Sequence, residues 1–398
     1  MKNIQLRHLI FAFVLITAAS PYKVMAQCLV EGSNIQYTPS PSNTIVNNGT
    51  EYVKLYIHVC ERFQSDPTLS DAEVASLVQD ANSDFLAAQI DFFYCLERHY
   101  DPDFTQSPAL WTAELTERYG HDDGIDVYIL PKDFVHVDES LFIAYYGGGT
   151  AFNPGNPTLP SVAAQEVVIW GQTTLCEFPF FPVGDRFVQV PHVLSHELGH
   201  CLGLLHPHET FPCADLTGVN CTTCGDLLCE TQPSEKLRFC VNQNCERVSH
   251  TFNCNPFYPN DTYVPNPNTD PDLDNIMAYT NFYACSPIFV AEQNNRMKAT
   301  LQNHPLLQPF RFKFIGGNVT INTNETWPLP DFPPSGNAYI SGNLTISPNT
   351  QLRINSGRIQ FASLSELVIQ PAGRLYLSGG TLTSWCDKWQ GVRVRANA

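Results

Sequence analysis

Apolar and polar residues alternate in the first patterned part of the chain, as they do in a strand with one buried face. Val53, Leu55, Ile57 and Val59 follow this pattern, which predicts a β-strand. Further strands are predicted at 90–96, 125–129, 142–146 and 167–170. The last two are separated by a Gly- and Pro-rich segment, 147–160, which we expect to be a loop.

Helical spacing of apolar residues follows the first strand. Ser70 and Glu73 form a capping box, which marks the start of a helix. The apolar stripe of this helix runs over three turns and consists of Val74, Leu77, Val78, Ala81 and Phe85. A second helix is predicted from Pro191, a residue suited to the first helical position, to Gly203, and a third at 289–302. The pattern is typical of an α+β fold, with a helix backing a mixed sheet.

Short apolar triplets recur after about residue 309, at spacings of 7 or 8 residues. The clearest triplets begin at Leu344, Leu352, Ile359, Leu367 and Leu375. Three such strands per coil would give a parallel β-solenoid. A meander of antiparallel hairpins is the alternative. Solenoids are ordinarily capped, and the lack of a cap near the last residue leads us to expect that the chain is part of something longer.

The first 26 residues resemble a secretory signal. Lys2 and Arg7 give a basic start, and an uncharged apolar run follows at 9–19. Val24, Met25 and Ala26 then offer small or tolerated residues at a cleavage site. Eleven apolar residues are too few to span a bilayer, which needs about 20. We therefore expect a secreted protein without a transmembrane anchor.

These features divide the chain into four segments. They are a signal peptide at 1–26, a linker or short propeptide at 27–50, an α+β domain at 51–308, which contains the candidate chemistry described below, and a β-rich, repeat-like region at 309–398.

Charge and cysteine content narrow the class of protein. The formal net charge is −17, with 39 acidic against 22 basic residues, so we expect no nucleic-acid partner. All fourteen cysteines follow the signal segment. An even number of cysteines in an exported chain indicates disulfides. Because Cys201–Cys285 contains nine of them, we expect a locally cross-linked, loop-rich subdomain.

Residues 196–206 carry the strongest chemical signal, with the sequence HELGHCLGLLH. His196 and His200 lie four residues apart, on one face of a helix, and can aim two imidazoles at one metal ion. Gly203 can end the helix in the left-handed conformation, so that the chain brings His206 round as a third ligand. Three protein ligands leave one position open, which is typical of catalytic zinc. Glu197 is placed to act as the general base.

The ligand set predicts a reaction class. Zinc lowers the pKa of bound water and polarises a carbonyl group, and Glu197 would take the proton of the water and pass it to the leaving amine. We therefore predict hydrolysis of peptide bonds in protein or peptide substrates.

This motif resembles that of the metzincin metalloproteases, and the chain is most similar to the pappalysin family. Three further features carry the resemblance: the segment 225–233 after the third histidine, Cys285, and a closing helix at 289–297. The similarity covers about residues 51–304. It implies a twisted mixed sheet, a backing helix, an active-site helix and a cysteine-rich C-terminal subdomain.

The resemblance also assigns roles to single residues. Asn275–Tyr279 resembles a methionine turn, which implies that Met277 lies beneath the zinc site and that Tyr279 stabilises the reaction intermediate. Family members can bind calcium in the loop corresponding to 225–233. Carried over, the ligands are the side chains of Asp226 and Thr231 and the carbonyl of Cys229, although an ordinary Asx-type turn explains these residues equally well.

A different function is compatible with the same sequence. In that alternative the β-rich region is an adhesion or binding module and the protease domain is a passenger. The complete set of ligands and base favours the enzyme, because a degraded site usually loses one of them.

Overall fold

The computed structural model describes part of the chain. The described residues are 28–31, 45, 49–61, 69–100, 118–130, 136–138, 143–145, 148–152, 166–170, 173–174, 187–188, 192–208, 220–232, 272–278, 288–305, 307–386 and 388–395. The predicted signal peptide lies outside these residues.

The described elements up to residue 303 comprise ten strands and three helices. The strands are β1 (Cys28–Glu31), β2 (Glu51–Glu61), β3 (Ile90–Tyr100), β4 (Ile125–Leu130), β5 (His136–Asp138), β6 (Ile143–Tyr145), β7 (Gly148–Phe152), β8 (Glu166–Trp170), β9 (Thr173–Thr174) and β10 (Phe187–Val188). The helices are α1 (Asp71–Asp84), α2 (Val193–Cys201) and α3 (Ala291–Asn303), and a 3-10 turn spans Ile276–Ala278.

The strands of this part form a mixed sheet. β2 is parallel to β3 along one edge and to β4 along the other, and β4 is parallel to β8. β7 pairs antiparallel with β8, and β1 is parallel to β7. Four of the five predicted strands therefore lie in this sheet, at 51–61, 90–100, 125–130 and 166–170, and the fifth is β6, which pairs antiparallel with β5. The fold contains both helices and a mixed sheet, as the α+β prediction requires.

Strand alternation places the main core on one face of this sheet. Val53, Leu55, Ile57 and Val59 of β2 are fully buried there, together with apolar residues of β3, β4 and all three helices. The capping box at Ser70 is present, and α1 presents its predicted apolar stripe to this core. The sheet and helices thus position α2 on the same face.

Three details differ from the sequence analysis. Part of the segment predicted as a loop, 147–160, forms β7, because backbone pairing with β8 requires no side-chain pattern. The segment 27–50 likewise contains β1. The second helix begins at Val193 rather than near Pro191, after His192 in a left-handed conformation at its N-cap.

Eleven described strands follow residue 310, all of them short. They are β11 (Arg311–Ile315), β12 (Val319–Ile321), β13 (Glu325–Trp327), β14 (Ala338–Ile340), β15 (Leu344–Ile346), β16 (Gln351–Ile354), β17 (Arg358–Phe361), β18 (Leu367–Ile369), β19 (Arg374–Leu377), β20 (Thr381–Ser384) and β21 (Val392–Val394).

These strands stack in parallel and form three ladders. The orders are β11-β14-β17-β20, β12-β15-β18-β21 and β13-β16-β19. Every pairing between them is parallel, so the antiparallel-hairpin alternative is wrong for the described residues. The outer residues of the triplets, such as Leu344 and Ile346, are fully buried in a second core.

The parallel ladders pack against the other face of the N-terminal sheet. β11 pairs antiparallel with the start of β2, and Tyr56, Cys95, Phe312 and Trp385 share a small core. A disulfide joins Cys95 to Cys386. The two faces of the N-terminal sheet therefore have different roles: one carries α2, and the other carries the β-rich region.

Candidate metal centre

Helix α2 is fixed at its first turn by the end of α1. Asp84 Oδ2 lies 2.7 Å from His192 Nδ1 and accepts a hydrogen bond from Ser195 Oγ. The apolar side of α2, including Leu194 and Leu198, enters the main core. This anchoring sets the direction in which the histidines of α2 point.

The three predicted ligands meet at one point. His200 Nε2 lies 3.2 Å from His196 Nε2 and 3.0 Å from His206 Nε2, and the remaining pair is 3.3 Å apart. Gly203 has the positive φ, +88°, that was expected where the helix ends and the chain turns. The turn brings His206 back to the histidines of α2, as the sequence predicts.

These separations suit one small cation. Two ligands 2.0–2.1 Å from a tetrahedral zinc ion lie about 3.3–3.4 Å apart, close to the observed spacing of the three nitrogens. Three protein ligands in this arrangement would leave a fourth coordination position open, and the residues could hold one metal ion.

Hydrogen bonds at the far side of two rings determine which nitrogen carries the proton. His196 Nδ1 lies 2.8 Å from the Ile276 carbonyl, and His200 Nδ1 lies 2.8 Å from the Leu204 carbonyl. A carbonyl oxygen can only accept, so both Nδ1 atoms carry hydrogen. In the neutral rings the Nε2 lone pairs then face one another at 3.2 Å. Such an arrangement repels itself unless a cation lies between the nitrogens.

Burial keeps these imidazoles neutral. His196 and His200 are almost completely buried. Burial lowers the pKa of His196 to about 4, although the bond to the Ile276 carbonyl partly opposes this shift. Burial, together with the neighbouring His206 and His196, also holds the pKa of His200 well below its ordinary value. Neutral imidazole is the form that binds a metal ion.

The predicted methionine turn lies directly beneath α2. A Cβ placed on Gly199 would lie 2.9 Å from Met277 Sδ, and Met277 is fully buried. Asn275 fixes the turn: its Oδ1 accepts from Met277 N at 2.9 Å, and its amide nitrogen donates to Gln293 of α3. Met277 therefore packs against α2, and its place beneath a zinc ion stays a prediction.

Of the two residues expected to carry catalysis, Glu197 and Tyr279, the structure describes Glu197. Glu197 lies on α2 beside His196 and is buried, with only 1% of its surface exposed. Its role as the general base stays a prediction. Tyr279 lies outside the described residues, and its role stays a prediction.

The loop predicted to bind calcium forms a tight, cross-linked turn. Asp226 Oδ1 accepts a hydrogen bond from Leu228 N, and Thr231 Oγ1 donates to the Leu228 carbonyl. The bond from Leu228 N to Asp226 is the Asx-type turn considered above. Cys221 and Cys229 form a disulfide, which agrees with the disulfide prediction for these cysteines. Calcium ligation by Asp226, Thr231 and Cys229 stays a prediction.

Sequence reasoning missed several groups that support the triad. His208 is buried, and its ring stacks on that of His206 with centroids 4.7 Å apart. The supporting carbonyls of Ile276 and Leu204 leave no side-chain signal. Asp84 had no recognisable pattern either, because its role depends on how α1 packs beside α2.

Comparisons with known proteins add no family assignment. No protein-family model matches the sequence, and no curated protein matches it. Among the described residues, no helix combines the length and the apolar character that crossing a membrane requires. The functional argument therefore depends on the site itself.

Proposed function

We propose that this protein is a zinc-dependent endopeptidase, with the metal held by His196, His200 and His206. The observation that carries the proposal is the convergence of three Nε2 atoms within 3.0–3.3 Å while two of the rings donate Nδ1–H to backbone carbonyls. Without a cation, this choice of tautomers leaves the Nε2 lone pairs of His196 and His200 facing each other at 3.2 Å.

Each group at the site has a separate role in the proposed hydrolysis of a peptide bond. When bound, zinc would supply Lewis acidity, which polarises the scissile carbonyl and makes water easier to deprotonate. Glu197 takes the proton from water and delivers it to the leaving amine. The carbonyls of Ile276 and Leu204 orient their imidazoles, and the buried Met277 supports α2 from below. The reaction forms no covalent bond between enzyme and substrate.

The resemblance to metzincins, and to pappalysins in particular, belongs to the same proposal. It is supported by the mixed sheet, by α1 and α2 on one of its faces, and by the turn at Met277 under the triad. Under this proposal Tyr279 stabilises the reaction intermediate, and the loop of Asp226 and Thr231 holds a structural calcium ion.

The spacing of the C-terminal strands supports the interpretation of this region as a solenoid. Paired residues in successive strands lie 21 to 27 positions apart, and each ladder contributes one strand per repeat. We interpret this region as a parallel β-solenoid attached to the peptidase domain. The disulfides at Cys95 and Cys221 suit an oxidising compartment, so the proposed site of action is outside the cell.

Cleavage of casein and of a peptide library by the purified full chain tests the proposed activity. We expect cleavage that a chelator abolishes and that added Zn²⁺ restores. Glu197→Gln should retain the metal and lose activity by about 10²–10⁴-fold, the usual contribution of a general base. Glu366→Gln, which changes a glutamate paired with Arg393 in the β-rich region, is the matched control and should cleave normally.

The outcomes separate the enzyme from the adhesion alternative. Metal-loaded protein that cleaves no peptide would contradict the proposal. Glu197→Gln protein with wild-type cleavage would also contradict it, because that result removes the assigned base.

A further inference from the structure

A second group of metal-binding side chains lies on the opposite face of the sheet from α2. Val59 of β2 faces the main core with α2, and its neighbour His58 therefore points to the other side. On β3, Glu97 pairs in register with His58, and His99 lies two residues further along the strand. Asp126 of β4 and His121 complete the group.

Three of these side chains converge as closely as the ligands of a metal ion. His58 Nδ1 lies 2.9 Å from His99 Nε2, and Glu97 Oε2 lies 3.6 Å from His58 Nδ1 and 3.8 Å from His99 Nε2. The two nitrogens would subtend an angle of about 90° at an ion about 2.0–2.1 Å from both. This angle is narrower than that of the tetrahedral first centre and is typical of tetragonal or octahedral coordination of divalent transition metals. The longer distances to the carboxylate exceed a hydrogen bond, but they suit atoms that share an ion.

Asp126 orients the buried histidine for this role. Its Oδ1 lies 2.9 Å from His58 Nε2. A carboxylate oxygen only accepts, so Nε2 carries the hydrogen and Nδ1 presents its lone pair to His99 and Glu97. Asp126 is itself held by the backbone N–H of His121 at 2.9 Å. A carboxylate behind the far nitrogen of a histidine is the usual support of a metal ligand.

The position of the cluster allows an ion to enter. The His58 side chain is fully buried, whereas those of His99 and Glu97 are 13% and 36% exposed. Burial, reinforced by His58 and His121, lowers the pKa of His99 to about 4, which keeps this imidazole in its ligand form. The cluster is therefore buried at His58 and exposed to solvent at Glu97.

The alternative is a network of hydrogen bonds alone, in which His99 donates to His58. That network explains the distance between the rings, and Glu97 Oε1 lies 3.4 Å from His121 Nε2, but the network leaves Glu97 Oε2 beyond hydrogen-bond distance of His58 and His99. We propose that His58, His99 and Glu97 form a second site, separate from the His196 centre, for a divalent transition-metal ion such as zinc. Bound there, the ion ties β2 to β3 on the face that carries the β-rich region.

Metal content of the full-length protein after equilibrium dialysis against Zn²⁺ tests this proposal. The wild type should bind two zinc ions, one at each histidine centre. Glu97→Gln and His99→Asn protein should each bind one, at the first centre. Both changes are at partly exposed side chains, so the fold should survive, and circular dichroism checks this. His304→Asn removes a histidine that belongs to neither centre and should bind like the wild type.

Asp126→Asn provides a second readout. It removes support rather than a ligand, so the number of bound ions should remain while the affinity of one of them falls about 10–100-fold. Cobalt-substituted Glu97→Gln protein should lack the absorption that one of the two bound ions contributes in the wild type.

The results distinguish this site from the first centre. Equal zinc content in wild-type, Glu97→Gln and His99→Asn protein would overturn the second site. The second site would also be overturned if the wild type binds one zinc ion only and His200→Asn protein loses it. That result would still support the proposed centre at His196, His200 and His206. An ion lost in His121→Asn but retained in Glu97→Gln protein would overturn the assigned ligands.

Discussion

Gly199 lies between the two histidines of α2, and replacing it with alanine would test how tightly the metal centre is packed. The new Cβ would lie 2.9 Å from Met277 Sδ and 3.4 Å from Leu204 Cδ1. Contacts between such atoms are normally about 3.5–4.0 Å. The methyl group must therefore displace Met277, which is fully buried, or shift α2 itself.

Two opposing effects determine the size of the change. Alanine in place of glycine in a helix stabilises it by about 1 kcal/mol, whereas overpacking a core costs about 1–3 kcal/mol. We expect overpacking to dominate, with a net loss of about 1 kcal/mol for the metal-free protein. Zinc affinity should fall as well, because His200 follows Gly199 directly.

Urea unfolding of chelated protein and a zinc titration measure the two effects. Met277→Ala alone leaves a cavity, but combined with Gly199→Ala it makes room for the methyl group. The double variant should be more stable than the sum of the single changes predicts, by about 0.5–3 kcal/mol. Gly316→Ala is the control, since its Cβ meets Phe314 at an ordinary 3.5 Å. A Gly199→Ala protein stabilised by about 1 kcal/mol, with unchanged zinc affinity, would refute the reasoning.

Three further predictions concern the fold and its response to acid. Arg311→Met breaks a buried ion pair with Glu51, whose Oε2 lies 2.9 Å from Arg311 Nε; we expect urea unfolding to show a loss of about 3–5 kcal/mol, and no loss would contradict this. Cys386→Ser removes the disulfide to Cys95, which closes a loop of 291 residues; the expected cost is about 2–5 kcal/mol in non-reducing unfolding, and a reductant should then have a smaller further effect than in the wild type. Folded His196 gains a proton only near pH 4, whereas the unfolded chain gains it near 6.5, so the unfolded state binds more protons between these values. The melting temperature of metal-free protein should therefore fall as pH decreases from 6.5 to 4, less steeply in His196→Asn protein, and equal slopes would contradict the assignment.

The sequence predicted those elements whose side chains follow a period. Alternation identified β2, and the capping box at Ser70 identified the start of α1, because both signals are local. The triad was also predictable, since His196 and His200 share a helix face and Gly203 needs no partner to adopt a positive φ. Local chemistry therefore determines much of the metal centre.

What the sequence could not show depends on pairing between distant segments. β7 is glycine-rich, and its strand conformation comes from backbone bonds to β8 rather than from a pattern. The apolar triplets favoured parallel stacking but left antiparallel hairpins open, and the observed register distinguishes the two. The stacking of His208 on His206 likewise depends on the path of the turn between them, which no local pattern shows.

The second histidine cluster also could not be predicted from local sequence patterns. His58 and His99 lie on polar faces of strands, and such positions usually indicate contact with solvent. Their meeting with Glu97 depends on the register of β2 against β3, a relation between segments about forty residues apart. No spacing within one segment encodes that register.

A crystal structure with anomalous-scattering data collected at the zinc edge tests the central claim most directly. We expect a peak 2.0–2.1 Å from the Nε2 atoms of His196, His200 and His206, the usual distance between zinc and a histidine nitrogen. Diffraction from zinc-supplemented protein with no peak among these three nitrogens would contradict the proposed metal centre.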